Sequence, residues 1–169
     1  MSNDHNFQIG DKVVYASHGV GEIQNIKVSN LQGTDVKVYI VSFSENSMVL
    51  HIPSKKSELL RSLVSKEELE NAYDTLRMKP KSMPRMSTKK NYEIETKLKS
   101  GDLSLVAEVL RDLYKLRIMG KDPSYSERTA YETSLNRLAS EIAEIENISY
   151  SNAEQRVLNI LKESQGEIA

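Results

Sequence analysis

At 169 residues, 38% hydrophobic and 28% charged, the chain suits a soluble globular protein of one compact domain or two small ones. It has no cysteine, which excludes disulfides, cysteine-ligated zinc and a thiol nucleophile, and no apolar run near the roughly 18 residues a membrane span needs. The net charge of −1 hides an asymmetry: residues 77–124 carry 12 Lys/Arg against 6 Asp/Glu, between two stretches in which acids outnumber bases.

Residues 7–53 read as β. Phe7, Ile9, Val13, Val14 and Tyr15 flank a turn signal at Gly10-Asp11. Ser17-His18-Gly19-Val20-Gly21 is a glycine-rich loop, its glycines permitting a tight turn between strands. Glu22 to Val28 alternates loosely, with Ile23, Ile26 and Val28 apolar; residues 30–35 form a turn. Val36 to Phe43 is β-branched and aromatic, residues 44–47 turn again, and Met48 to Ile52 is ended by Pro53. Strands of about five residues joined by short turns predict a small, strongly bent barrel.

The period then changes. Ser65 and Glu68 form a capping box before Leu69, Ala72, Tyr73 and Leu76 at helical spacing. Residues 79–88, with two prolines and two serines, read as an irregular linker, followed by a short helix over 89–99. Asp102 caps a helix whose face is Leu103, Val106, Ala107, Leu110, Leu113, Tyr114 and Arg117, stopped by Gly120 and Pro123. Ser124/Glu127 opens a long fourth helix, and Ser151/Glu154 a fifth. Strands first and helices second, without alternation, predict an α+β chain of two segregated domains, 1–62 and 63–169.

Enzyme chemistry finds little support. The histidines are His5, His18 and His51, with no helical pair to bind zinc; a site joining His18 and His51 to carboxylates has no spacing to recommend it. His18-Gly19-Val20-Gly21 lacks the Gly-Lys-Ser/Thr of a phosphate loop and the third glycine of a dinucleotide loop. Glu67 and Glu68 sit where a helix start favours acids. The basic segment is the best functional signal: Arg77, Lys79, Lys81, Arg85, Lys89, Lys90, Lys97 and Lys99 are opposed locally by Glu93 and Glu95. Such a cluster can neutralise phosphates without reading sequence, and Met86 within it can wedge into a minor groove. A solvated lysine-rich linker, with methionines packed beneath it, accounts for the same residues.

Residues 7–15 (Phe-Gln-Ile-Gly-Asp-Lys-Val-Val-Tyr), continuing Ser17 to Gly21, together with Val49 to Pro53, Lys97-Leu98-Lys99-Ser100-Gly101-Asp102 and Val106 to Leu113, resemble the CarD/CdnL family of bacterial RNA polymerase-binding transcription regulators. The resemblance runs over about residues 7–148 with the order of motifs kept. It implies a Tudor-like β-domain that binds the polymerase β subunit and a basic helical domain of about five helices. The latter would touch double-stranded promoter DNA, with little sequence specificity, at the upstream edge of the melted region. It also implies no enzymatic activity and no cofactor; the residue inventory offers no metal site, the composition fits a cytoplasmic protein, held at the nucleoid through polymerase, and a monomer is the default expectation. Carried onto this chain, DNA contacts fall on Arg85, Met86, Lys89, Lys90 and Lys97, and polymerase contacts on Ser29, Leu31, Val49, His51 and Ile52. Two departures stand out. The family's tryptophan wedge falls on Ser87, or on Met86 with a one-residue gap, and His51 stands where an arginine is usual. An adaptor that meets the transcription machinery without touching DNA is the competing reading.

Overall fold

The computed structural model describes residues 6–43, 47–81, 88–120 and 122–167, with backbone alone at residues 31, 57 and 58. The chain divides into two compact units, Met1–Leu63 and Val64–Ala169. The first is a five-stranded antiparallel sheet and the second five helices, the α+β, Tudor-like-then-helical arrangement expected above.

In the first unit, β1 (Lys12–Tyr15), β2 (Gly19–Leu31), β3 (Thr34–Phe43), β4 (Val49–Pro53) and β5 (Leu60–Ser62) lie in the order β4-β3-β2-β1-β5. A 3-10 segment, Ser54–Leu59, joins β4 to β5. Tyr39, Val41 and Phe43 alternate onto one face of β3 and meet Ile52 and Leu50 from β4, Ile23 and Ile26 from β2, and Phe7. Ile23 and Ile26 are three residues apart, a spacing at which a regular strand points them to opposite faces. A bulge between Ile23 and Asn25 absorbs the extra residue, so Ile23 opposes Val41 and Ile26 opposes Tyr39 on the same side.

The two loop glycines serve different ends. Gly19 has φ +79°, as a tight turn requires. Gly21 is needed for space: a Cβ there would lie 2.8 Å from Val41 Cγ1 and 2.9 Å from the Phe43 ring. Gln32 and Gly33, both with positive φ, close β2 onto β3 in a two-residue hairpin, narrower than the six-residue turn expected from the sequence.

The second unit packs α1 (Lys66–Arg77), α2 (Thr88–Lys99), α3 (Leu103–Ile118), α4 (Tyr125–Glu146) and α5 (Tyr150–Gln165) around α3. Leu76, Leu110, Leu138, Ile142, Val157 and Leu161 are fully buried there. Ser65, Asp102 and Ser124 cap their helices as expected, Ser124 with the reciprocal bond from Glu127. The fifth helix departs from expectation. Its N-cap is Ser149, accepting from the Asn152 N–H, not Ser151. Asn147 ends α4 in the left-handed conformation, which reverses the chain within two residues and starts α5 early. The second helix begins at Thr88, one residue before its expected start. Among the described residues, no helix is long and apolar enough to cross a membrane.

Candidate functional site

Two surfaces hold the sequence-predicted residues, one in each unit. In the β-unit, β4 is an edge strand, paired among the described residues to β3 alone. Phe43 N–H donates to the Met48 carbonyl at 2.8 Å, which sets the antiparallel alternation. From that bond the pairs Val41/Leu50 and Tyr39/Ile52 exchange ladder hydrogen bonds, and the N–H and C=O of Val49 and His51 turn outward. Pro53, lacking an N–H, sits at the next outward position, where an edge strand tolerates it. Val49 and His51 are exposed and share the sheet's outer face with half-buried Val38 and Ile40. Ile52 is different: its side chain is 6% exposed in the core and its main chain pairs with Tyr39, so neither faces outward from the strand edge.

Ser29 and Leu31 lie on the outer half of the β2–β3 hairpin, opposite Val36 and Thr34. On its other edge β2 pairs with β1 from Gly19 to Glu22, and Ile23 exchanges bonds with Gly10 and Asp11. Among the described residues, β3 is therefore the one strand partner of residues 24–31; the Ile26 N–H there donates to Asn25 Oδ1, and Val28 is 72% exposed.

In the helical unit, α2 is fixed by Ile94 and Leu98, buried in the core, and by Arg137, which donates to the Leu98 carbonyl at 2.6 Å. Its exposed residues include Lys89, Tyr92, Thr96 and Lys99, a stripe at i, i+3, i+4 spacing. Lys89 is exposed. Lys90 is 20% exposed and lies 3.6 Å from Glu93. Lys97 turns toward α3, 3.4 Å from Glu108. Arg85 and Met86 lie outside the described residues.

Sequence reasoning missed the acids that organise these bases. Glu108 Oε1 accepts from Lys81 Nζ at 3.1 Å as well as pairing with Lys97. One turn on, Asp112 accepts from the Lys81 N–H at 3.1 Å and from Arg111 Nε at 2.8 Å. Arg111, 3% exposed, also reaches the Thr75 carbonyl, and its own carbonyl accepts from Gln165. Burial works to raise the Glu108 carboxyl, but the Lys81 hydrogen bond and the Lys97 charge outweigh it and hold the group below the ordinary carboxylate range. The network thus pins Lys81, on one side of residues 82–87, and Lys97, on the other, to α3. The signal was legible as an i, i+4 acidic pair in an otherwise basic stretch.

His18 and His51 are not brought together. His18 stacks on Tyr15 at 5.3 Å and packs against Phe43 at the end of the sheet core, whereas His51 stands on the outer face. Among the described residues, no group of three or more His, Cys, Asp or Glu is placed to hold a metal ion.

Comparison with known proteins matches both units in order. Residues 7–64 fit the CarD-like/TRCF RID domain, and residues 71–159 the CarD C-terminal domain. Over 152 residues the chain is 30% identical to Bacillus subtilis (strain 168) YdeB, a protein named as a candidate transcription factor; the match covers 85% of this chain and 94% of that one.

Proposed function

The chain belongs to the CarD family of transcription factors, and from that premise we propose that it regulates transcription by docking on the RNA polymerase β subunit through the β4 edge and on promoter DNA through α2. The observation that carries the first half is the pair of outward-facing peptide groups at Val49 and His51 on an edge strand. A partner strand that pairs with them gains main-chain hydrogen bonds, with Val49 and His51 side chains setting the fit. Lys89 and Lys90, near the start of α2, then meet phosphates beside the melted region. Because the two units are one chain, docking of the first raises the local concentration of the second, and weak DNA affinity suffices. If contact with melted DNA is better than contact with the closed duplex, the open promoter complex gains population by that difference.

His51→Pro tests the polymerase half. It removes the outward N–H without touching the ladder to β3. Capture of polymerase by the full-length variant is expected to fall about tenfold or more, with the fold unchanged by circular dichroism. Undiminished capture would assign polymerase binding elsewhere. The adaptor reading draws on the pairing of Lys90 with Glu93 and of Lys97 with Glu108, which reduces the charge on offer to DNA. Lys89, exposed at the head of α2, favours the DNA reading.

A further inference from the structure

Lysine–phosphate contacts form on paired and unpaired strands alike, so lysines alone give no reason to prefer melted DNA. A preference needs a contact that exists only when a base has left the stack. Resting on the DNA reading above, we propose that the cleft between α2 and the start of α4 holds one unstacked nucleobase with an exocyclic amino group.

The cleft has a volume of about 260 Å³. That falls just short of the roughly 300–1,000 Å³ that encloses a drug-sized ligand, and it has no room for a peptide helix. Its floor is apolar: Ile94, Leu98 and Ala130 are 4%, 8% and 7% exposed. Its rim is polar, with Asn91 and Glu95 one turn apart on α2. At its mouth stands Tyr125, 80% exposed and the first residue of α4. An apolar floor and a free aromatic ring suit a flat base, for which stacking is the main attraction. Glu95 repels phosphate and accepts from an amino group, as carboxylates do from cytosine N4. Asn91 supplies both a donor and an acceptor for a base edge. Lys89 and Lys90 stand at the start of the same helix, on its sides away from the cleft face, and their long side chains serve the phosphates of the strand that delivers the base, not the base itself.

The two ends of the cleft are held in place independently of any ligand. Arg137 on α4 donates to the Leu98 carbonyl on α2, and the Ser124/Glu127 capping box fixes the first turn of α4 beneath Tyr125. The ring therefore stands on a rigid helix start, which lowers the entropy lost when a base stacks on it.

The test uses the full-length protein at low salt and four DNAs: a duplex, and the same duplex ending in an unpaired cytosine, thymine or abasic tail. The wild type is expected to bind the cytosine-tailed fork about tenfold more tightly than the duplex, and the abasic fork no better than the duplex. Tyr125→Ala, a change at an exposed position, brings the fork down to duplex affinity and leaves duplex binding unchanged. Glu95→Ala narrows the margin of cytosine over thymine. A Tyr125→Ala protein that keeps the fork preference overturns the proposal, as does a wild type that treats duplex, cytosine fork and abasic fork alike. Reduced polymerase capture by Tyr125→Ala with intact fork preference assigns the cleft to a protein partner and overturns it too. Lys89→Ala separates the two levels: it should weaken duplex and fork equally, and no loss on either would sink the DNA reading itself.

Discussion

Gly21 has no side chain because Phe43 and Val41 occupy the place where one would stand. Both neighbours are fully buried, so neither can retreat. Gly21→Ala should therefore cost about 1–3 kcal/mol of stability in the β-unit, read by urea denaturation. A loss below about 0.5 kcal/mol would mean the sheet yields there. Glu108 makes a different prediction. Its carboxyl is held low in the folded protein, so the stability it contributes is present above the unfolded glutamate's range and lost as pH falls through the lower folded value. The wild type should lose stability in that acid window, and Glu108→Gln should flatten that part of the profile; identical profiles would remove the network from the account. At this scale the sequence was legible only in part. Family resemblance pointed alike to Val49, His51 and Ile52, and could not tell that the first two face outward and the third inward, because that sense depends on register. The register is set by a hydrogen bond from Phe43 to Met48 that no spacing reveals.

Elements were more legible, since caps and periodicity are written locally. Three helix starts fell where a serine or aspartate precedes an apolar periodic run. The start of α5 did not, because Ser149 and Ser151 are both competent caps and the choice belongs to Asn147, whose left-handed turn ends α4. Ser149→Ala should destabilise the helical unit by about 1 kcal/mol, and Ser151→Ala by less than about 0.5, in thermal unfolding. Equal effects would contradict the placement. The loose alternation of Glu22 to Val28 has its cause in the bulge: the hydrophobic pattern slips by one residue because the strand does. The basic segment was visible in composition, but its partition was not. Lys97 and Lys81 serve α3 through Glu108, while Lys89 and Lys99 remain exposed. Charge counts along the chain do not show which base meets which acid across a helix packing.

On the scale of the whole chain, a β-unit with an open edge is joined without a spacer to a helical unit with a basic helix. The proposed regulator needs both, because neither a strand edge nor a few lysines confers much affinity alone, and covalent linkage lets the second contact follow from the first. The change of period near residue 64 was legible because strand and helix patterns differ. The division of labour rests on family membership together with the outward peptide groups of β4. The most direct test is the lifetime of the open promoter complex, measured with polymerase alone, with the wild type, and with a Lys89→Ala/Lys90→Ala protein that still binds polymerase. The wild type should lengthen the lifetime, and the double substitution should return it most of the way to the value for polymerase alone. A double variant that stabilises the complex as well as the wild type does would contradict the proposed function.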